Sequence, residues 1–133
     1  MSTILVIDDY TMFQDLIVFA LKQEGYNVLA VSNAKDALAG LHLSNPDLIL
    51  LDMLMPEIDG LHFLRILRSK PGHKHTPVMV ITGSCEREQV IRAADFGIQD
   101  YILKSQFSLD KLLARIKSRL ESPKPCLVRD AHS

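Results

Sequence analysis

The 133-residue sequence lacks several features that define whole classes of protein. It contains no tryptophan and only two cysteines, and no apolar run approaches the roughly 18 residues that a membrane helix requires. Two cysteines are too few for a disulfide framework, and neither has the spacing of a metal knuckle, so we expect both to be reduced thiols. The start of the chain has no basic segment of the kind that precedes a secretory signal. These absences predict a cytoplasmic protein that does not bind a membrane.

A strong excess of one charge is also missing. The chain has 15 Lys and Arg residues against 16 Asp and Glu residues, which gives a formal net charge of −1. Because a nucleic-acid surface normally shows as a basic excess, direct binding to nucleic acid is not expected. Hydrophobic residues make up 47% of the chain, which is too many for a disordered protein and enough for a buried core. We therefore expect one globular domain, with little length left for a second.

Short apolar runs alternate about five times with longer stretches of helical periodicity. This alternation is typical of β/α units around a parallel sheet. The runs are continuously apolar, as expected of strands that helices cover on both faces. The run over 28–31 has the weakest apolar character and is the predicted edge strand. The predicted strands are residues 4–7, 28–31, 48–51, 78–81 and 101–103.

Recognisable signals mark the ends of the intervening helices. Gly25 and Gly97 are predicted to end the first and fourth helices. Asn33 and Ser108 are predicted to cap the start of the second and fifth. The last helical pattern ends near residue 121, so we expect a folded domain over residues 1–121 and a flexible, proline-containing tail over 122–133.

A polar residue of distinct chemistry follows four of the predicted strands. Asp8 and Asp9 follow the first strand and Asp52 follows the third, while Thr82 and Lys104 follow the fourth and fifth. Each of these alone is an ordinary strand terminator or helix cap. Because the carboxyl ends of parallel strands lie at one edge of a sheet, we expect all five side chains to lie near one another.

Three carboxylates at one edge require a compensating positive charge. At a separation of about 5 Å, two carboxylates repel each other by about 3 kcal/mol at an effective dielectric constant near 20. Lys104 can supply part of the opposite charge. Oxygen ligands with no His or Cys nearby favour a hard divalent cation, and we therefore predict a site for Mg²⁺ or Mn²⁺ that can also receive phosphate oxygens.

The order of these motifs resembles the receiver domain of bacterial two-component response regulators. The resemblance extends from residue 4 to about residue 120. It implies an α/β fold of the flavodoxin-like, doubly wound kind, with a five-stranded parallel sheet in the order 2-1-3-4-5 and five helices in a single domain. The matching elements in chain order are Asp8-Asp9, Asp52, Met55-Pro56, Asp59-Gly60, Thr82-Gly83, and Tyr101 three residues before Lys104.

The resemblance implies a phosphoacceptor and a metal site. Asp52 is expected to accept a phosphoryl group and to form an acyl phosphate. Asp8 and Asp9 are expected to hold Mg²⁺ or Mn²⁺ together with Asp52 and the backbone carbonyl of Leu54. The domain would then catalyse only its own phosphorylation and dephosphorylation, so it would not be an enzyme that turns over a separate substrate.

The resemblance also implies roles for three further residues. Lys104 and Thr82 are expected to contact the phosphoryl group. Thr82 and Tyr101 are expected to form a switch, in which the Thr82 hydroxyl moves toward a phosphoryl oxygen and the Tyr101 ring becomes buried. Such a switch would bias the surface of the domain between two states.

Several partners follow from the same resemblance. The phosphoryl donor would be a histidine kinase or a histidine phosphotransfer protein. The output would pass to a downstream protein target or to an effector domain missing from this chain. A transient homodimer is a further expectation.

One departure from the family pattern leaves an alternative open. Ser105 stands where the family usually has a proline, often joined by a cis bond. A cis bond before a residue other than proline costs about 3 kcal/mol, so we expect a trans bond and an altered course of residues 105–107. The alternative is a degenerate receiver that acts as an unphosphorylated protein-interaction adaptor.

Two other classes are disfavoured by the motifs themselves. A phosphohydrolase of the haloacid dehalogenase type needs Asp-x-Asp after its first strand, whereas Asp52-Met53-Leu54 lacks the second acid and comes late in the chain. A flavodoxin-like nucleotide or flavin binder needs glycines after the first strand. Residues 8–11 contain no glycine and place acids where a phosphate would bind.

Overall fold

The computed structural model of the protein describes residues 2–83 and 86–121. The predicted flexible tail, residues 122–133, lies outside these ranges. Cys85 and Cys126 also lie outside them, so the expectation of reduced thiols stays a prediction.

Within these ranges, five strands alternate with five α-helices, as the sequence predicts. Each strand differs from its predicted range by a single residue at most. The strands are β1 (Thr3–Ile7), β2 (Asn27–Val31), β3 (Leu48–Leu51), β4 (Val78–Thr82) and β5 (Asp100–Leu103). The helices are α1 (Thr11–Gln23), α2 (Ala34–Ser44), α3 (Gly60–Ser69), α4 (Arg87–Asp95) and α5 (Leu109–Glu121). Two short 3-10 turns cover Pro71–His73 and Lys104–Gln106.

The strands form one parallel sheet in the order β2-β1-β3-β4-β5. This order confirms the predicted flavodoxin-like fold, and it confirms β2 as an edge strand. The order reverses at β1, whose neighbours are β2 and β3. In doubly wound sheets the crevice at such a reversal is where ligands bind.

Two apolar layers cover the two faces of the sheet. Helices α2, α3 and α4 pack on one face, and α1 and α5 pack on the other. Because side chains alternate along a strand, each strand contributes to both layers, which explains the continuously apolar runs. None of the described helices is both long and apolar enough to span a lipid bilayer.

The predicted helix signals lie where the helices begin and end. The Asn33 side chain accepts a hydrogen bond from the backbone N–H three residues later, at 2.8 Å. Ser108 Oγ accepts a longer one from the N–H three residues into α5, at 3.4 Å. Gly25 and Gly97 follow α1 and α4 with φ values of 92° and 78°, a conformation that glycine adopts without a steric penalty.

Arg68, near the end of α3, joins segments that are distant in sequence. Its Nε donates to the carbonyl of Phe96 at 2.7 Å, and its Nη2 donates to that of Gly97 at 2.6 Å, just after α4. Its Nη1 donates to the carbonyls of His73 and Thr76 at 2.9 and 2.8 Å. A guanidinium suits this position because the carbonyls at a helix C-terminus carry partial negative charge.

Candidate functional site

Two carboxylates lie at the reversal of strand order. Asp8 directly follows β1 and Asp52 directly follows β3, and the two are level because Ile7 pairs with Leu51. The Asp52 N–H donates to the carbonyl of Ile7 at 3.0 Å, which holds the two strand ends together. Both aspartates are only 4% exposed. The sequence-based expectation that these acids lie at one edge is therefore confirmed.

The alternation of side chains explains why Asp8, Asp52 and Lys104 point to the same side. The residue two positions before each belongs to the apolar layer beneath α1 and α5; these residues are Val6, Leu50 and Ile102. Since strand side chains repeat with a period of two, the three polar residues continue that layer beyond the end of the sheet. The crevice is therefore lined by apolar side chains of this layer and, at the strand ends, by the charged side chains of Asp8, Asp52 and Lys104.

The ammonium of Lys104 lies between the two buried acids. Its Nζ is 2.8 Å from Asp8 Oδ2 and 3.4 Å from Asp52 Oδ2. The Lys104 side chain is 17% exposed, so these ion pairs are largely shielded from water. Lys104 thus neutralises part of the negative charge, as the sequence predicts.

The other oxygen of each acid is bound by the backbone. Asp8 Oδ1 accepts a hydrogen bond from the Tyr10 N–H at 2.8 Å. Asp52 Oδ1 accepts one from the Leu54 N–H at 3.0 Å. In both cases the donor lies two residues further along, which is the usual geometry of an aspartate that shapes a turn. Both carboxylates are therefore held in a fixed orientation, with Oδ2 toward Lys104.

Burial raises the pKa of the Asp8 carboxyl above its ordinary value. The hydrogen bonds from Lys104 and from the Tyr10 N–H lower this pKa, and the neighbouring Asp52 carboxylate raises it further. The net increase means that the charged form of Asp8 is incompletely compensated by the protein. A bound cation would supply the missing compensation.

Asp9 completes a set of acids that could hold a metal ion. One carboxylate oxygen from each of Asp8, Asp9 and Asp52 lies within 4.8 Å of the others. Asp9 is exposed, in contrast to the two buried acids, so the set opens to solvent on that side. An oxygen-only donor set of this size fits a hard divalent cation that keeps several waters.

The predicted switch residues lie on the opposite face of the sheet. Thr82 is fully buried at the end of β4, and Tyr101 is half-buried in β5, where it packs against the layer beneath α2, α3 and α4. Val80 pairs with Tyr101 and Thr82 pairs with Leu103. Thr82 and Tyr101 are therefore diagonal neighbours on adjacent strands and share one face of the sheet.

The peptide bond between Lys104 and Ser105 has the trans form that the sequence predicts. No cis peptide bond occurs among the described residues, so the Lys104–Ser105 bond is trans. Residues Lys104–Gln106 form a 3-10 turn that leads to Phe107. The substitution of Ser105 for proline is thus accommodated without loss of the ion pairs of Lys104.

Sequence reasoning did not identify the aromatic residues around Lys104. The Nζ atom lies 4.6 Å from the centre of the Phe13 ring and 5.6 Å from that of the Tyr10 ring. The Phe13 ring meets that of Phe107 edge to face, with centres 5.3 Å apart and planes at 70°. Nor did it identify Gln14, whose Nε2 donates to the Asp8 carbonyl at 3.1 Å and fixes the turn after β1.

Comparisons with known proteins agree with this geometry. Residues 4–117 match the family described as response regulator receiver domain. The phosphate regulon transcriptional regulatory protein PhoB of Klebsiella pneumoniae is 33% identical over 127 residues, which cover 96% of this chain and 55% of that protein. The chain spans about half the length of the curated relatives it matches.

Solved structures show the same fold. The signal receiver domain of a signal transduction histidine kinase from Syntrophus aciditrophicus has a TM-score of 0.83 and 31% identity, with 93% of each chain covered. The Mn²⁺-bound form of the response regulator Rcp1 has a TM-score of 0.77 and 25% identity, with 94% of this chain and 99% of that chain covered. The family match spans both strand ends that carry the buried acids, and the chain therefore belongs to the response regulator receiver domain family.

Proposed function

We propose that this receiver domain accepts a phosphoryl group on Asp52 in a reaction that depends on a divalent cation. The observation that supports the proposal most strongly is the fixed orientation of the Asp52 carboxylate. Its Oδ1 is held by the Leu54 N–H, and its Oδ2 faces the ammonium of Lys104. An oriented anion beside a fixed cation, at the edge of a crevice, is arranged to attack an anionic phosphoryl donor.

The proposed reaction is a transfer to a carboxylate oxygen. A bond forms between an Asp52 oxygen and phosphorus, and the bond from phosphorus to the leaving group breaks, with its electron pair going to the leaving group. Because both reactants are anionic, catalysis comes from positioning and charge neutralisation. Lys104 supplies one positive charge at the reacting carboxylate. Thr82 is proposed as a second contact to the phosphoryl oxygens.

The proposed cation is Mg²⁺ or Mn²⁺, held by Asp8, Asp9 and Asp52. The set of three carboxylate oxygens and the raised pKa of Asp8 fit such an ion. The Mn²⁺-bound structure of the similar Rcp1 supports a divalent ion. When bound, the ion would neutralise charge on the phosphoryl oxygens. The backbone carbonyl of Leu54 stays a predicted fourth ligand.

The proposed switch couples the phosphoryl group to the face that carries α4. Thr82 and Tyr101 share that face and are diagonal neighbours, so a shift of the Thr82 hydroxyl toward a phosphoryl oxygen changes the space next to the Tyr101 ring. Tyr101 is half-buried, which leaves room for movement in either direction. The phosphorylated domain would then present a different surface to its partners.

The proposed phosphoryl donor is a histidine kinase or a histidine phosphotransfer protein. A protein donor must dock close to Asp52, and α1 begins directly after the acidic turn that contains Asp9. Three large apolar side chains lie on the outer face of α1: Met12, Leu16 and Phe19, with exposed fractions of 74%, 44% and 64%. Their i, i+4, i+7 spacing forms one stripe, and exposed apolar patches of this kind mark protein contacts.

Substitution of Phe19 with glutamate is expected to slow phosphoryl transfer from a protein donor at least about tenfold, since a charge in an apolar docking face loses well over 1 kcal/mol of binding. Uptake from acetyl phosphate should be unchanged, because a small donor needs no docking face. The measurement is the rate of transfer from phosphorylated histidine kinases. Leu43→Glu, at an exposed position on α2, is the matched control, and equal slowing by both variants would refute a docking role for α1.

The output is proposed to pass to a protein partner or to an effector domain outside this sequence. A transient homodimer is an additional proposal. The cytoplasmic location and the division into a folded domain over 1–121 and a tail over 122–133 stay predictions. The second candidate function, an unphosphorylated adaptor, is suggested by Ser105 in place of the usual proline.

One experiment separates the two candidate functions. The protein is incubated with Mg²⁺ and acetyl phosphate, and its intact mass is measured with and without EDTA. We expect the gain of one phosphoryl group, which EDTA abolishes, and we expect beryllofluoride to bind under the same conditions. No mass gain and no beryllofluoride binding at saturating Mg²⁺ would refute the phosphoacceptor function and favour the adaptor.

Substitution of Asp8 with asparagine is expected to remove metal binding and to stabilise the metal-free protein. Because the pKa of Asp8 is raised in the folded state, its contribution to stability is present below pH 3.8 and is lost as the pH rises through the folded pKa. At neutral pH, an uncharged side chain therefore increases the free energy of unfolding. Loss of a residue that only hydrogen-bonds to a metal ligand lowers metal affinity by roughly 10- to 100-fold. Because Asp8 is proposed as a direct ligand, its loss should lower Mg²⁺ affinity by more than that.

The measurement for Asp8→Asn is thermal unfolding in EDTA and across a Mg²⁺ titration. The wild-type protein should gain stability as Mg²⁺ is added, and the variant should not. Asp15→Asn, at an exposed carboxylate on α1, should behave like the wild type. A variant that retains the Mg²⁺ response would show that Asp8 is not a ligand.

A further inference from the structure

The ammonium of Lys104 contacts two acids and also lies over an aromatic ring. Asp8 and Asp52 contact its Nζ at 2.8 and 3.4 Å, and the Phe13 ring lies 4.6 Å away. Phe13 is part of α1, whereas Lys104 directly follows β5. The contact therefore joins two elements that the sequence separates by more than half of the domain.

Phe107 packs against the Phe13 ring. The two rings meet edge to face at 5.3 Å, and both belong to the apolar layer beneath α1 and α5. Phe107 comes directly after the 3-10 turn that begins at Lys104. One aromatic pair thus connects the head of the Lys104 side chain to the backbone segment that follows it. We call Phe13 and Phe107 the aromatic support.

The aromatic support contacts the segment in which Ser105 replaces the proline that the family usually has. Ser105 leaves the backbone after Lys104 without the rigid proline that the family usually has there. The packing of Phe107 on Phe13 provides a different constraint on the same segment. The negative face of the Phe13 ring also attracts the ammonium, and this attraction is strongest when the cation is shielded from water. The largely buried side chain of Lys104 meets that condition.

We propose that Phe13 is a positioning residue for phosphoryl transfer. Its ring holds the Lys104 ammonium beside Asp52 while the ammonium exchanges its carboxylate partners for phosphoryl oxygens. This inference rests on the proposed function of Asp52. The arriving phosphoryl group draws Lys104 away from Asp8 and Asp52. The ring offers a contact that persists during the exchange, because a ring face has no fixed hydrogen-bond direction.

Fluorination of the ring tests the proposal without a change of shape. Phenylalanines that carry one, two or three ring fluorines at position 13 progressively weaken the negative face of the ring and remain nearly isosteric. We expect the initial rate of phosphoryl uptake from acetyl phosphate to fall stepwise along the series, by roughly three- to thirtyfold in total. The thermal unfolding temperature should change little along the series.

Matched controls separate positioning from packing. The same series at Phe63, which is fully buried in the opposite layer, should leave the uptake rate unchanged. Tyr10→Leu should have a smaller effect than Phe13→Leu, since the Tyr10 ring is more distant from Nζ and more exposed. Phe13→Tyr should restore most of the rate that Phe13→Leu loses, because it restores a ring face.

The outcomes distinguish a positioning role of Phe13 from a packing role and from a failure of the proposed function. A flat rate along the Phe13 series, in a wild-type background that takes up the phosphoryl group, overturns the inference and leaves the proposed function standing. A decline that parallels a loss of thermal stability, or that also occurs at Phe63, reduces Phe13 to a packing residue and overturns the inference as well. A wild-type protein that takes up no phosphoryl group overturns the proposed function and the inference with it.

Discussion

Substitution of Asp52 with asparagine is expected to abolish phosphoryl uptake from acetyl phosphate. The amide retains an oxygen that can accept the hydrogen bond from the Leu54 N–H, so the local turn is preserved. It has no anionic oxygen to attack phosphorus, and loss of a nucleophile lowers a rate by on the order of at least a thousandfold. Intact mass after incubation with Mg²⁺ should therefore match that of the untreated variant.

Two controls make the Asp52 result specific. Asp15→Asn changes an exposed acid on α1 and should take up one phosphoryl group as the wild type does. Circular dichroism and thermal unfolding should show that Asp52→Asn remains folded, because it removes one of three mutually repelling carboxylates. Uptake by Asp52→Asn at the wild-type rate would place the phosphoacceptor elsewhere, and mass analysis of proteolytic fragments would locate it.

The parts of the site that sequence alone predicts are those fixed by local patterns. Asp8 and Asp52 each follow a continuously apolar run directly, so their place at the edge of a parallel sheet follows from chain order. The period of two along each strand then puts them and Lys104 on one side. Periodicity does not determine which strands are neighbours, however. The order β2-β1-β3-β4-β5 was predicted only through the family resemblance and is confirmed by the structure.

The parts that sequence reasoning missed depend on contacts between distant segments. Phe13 lies in a helical apolar stripe and Phe107 in a loop, and nothing near either residue indicates that they meet beside Lys104. Arg68 has the same character, since its four carbonyl partners belong to two other segments. A guanidinium at the end of a helix is usually solvated, so its sequence position carries no signal for this arrangement.

The structure explains why position 60 requires a glycine, which the Asp59-Gly60 motif alone does not. The Gly60 N–H donates to the carbonyl of Met53 at 3.1 Å, which brings the start of α3 against the segment that carries Asp52. A Cβ atom at Gly60 would lie 2.6 Å from Met53 Sδ and 2.7 Å from Met53 Cα. It would also lie 3.1 Å from the backbone carbonyl oxygen of Asp52. One of these atoms belongs to a buried side chain and two belong to the backbone.

Substitution of Gly60 with alanine is therefore expected to lower the free energy of unfolding by about 2–4 kcal/mol, because a buried backbone cannot move aside cheaply. It should also slow phosphoryl uptake, since relief of the contact displaces Asp52 relative to Lys104. Chemical denaturation and uptake from acetyl phosphate measure the two effects.

Gly72→Ala is the matched control for the Gly60 substitution, since a Cβ at Gly72 has no heavy atom within 4 Å apart from those of the adjacent residues. Its backbone is not in the left-handed region, so alanine should leave stability unchanged or raise it slightly, by about 0.4–1 kcal/mol. If Gly60→Ala and Gly72→Ala have the same effect, the close approach at Gly60 does not constrain the site. If Gly60→Ala loses stability but keeps the wild-type uptake rate, the segment after Asp52 can move without disturbing the phosphoacceptor. The expected result is a loss of both, because the atoms that Cβ would meet belong to Asp52 and to the residue that follows it.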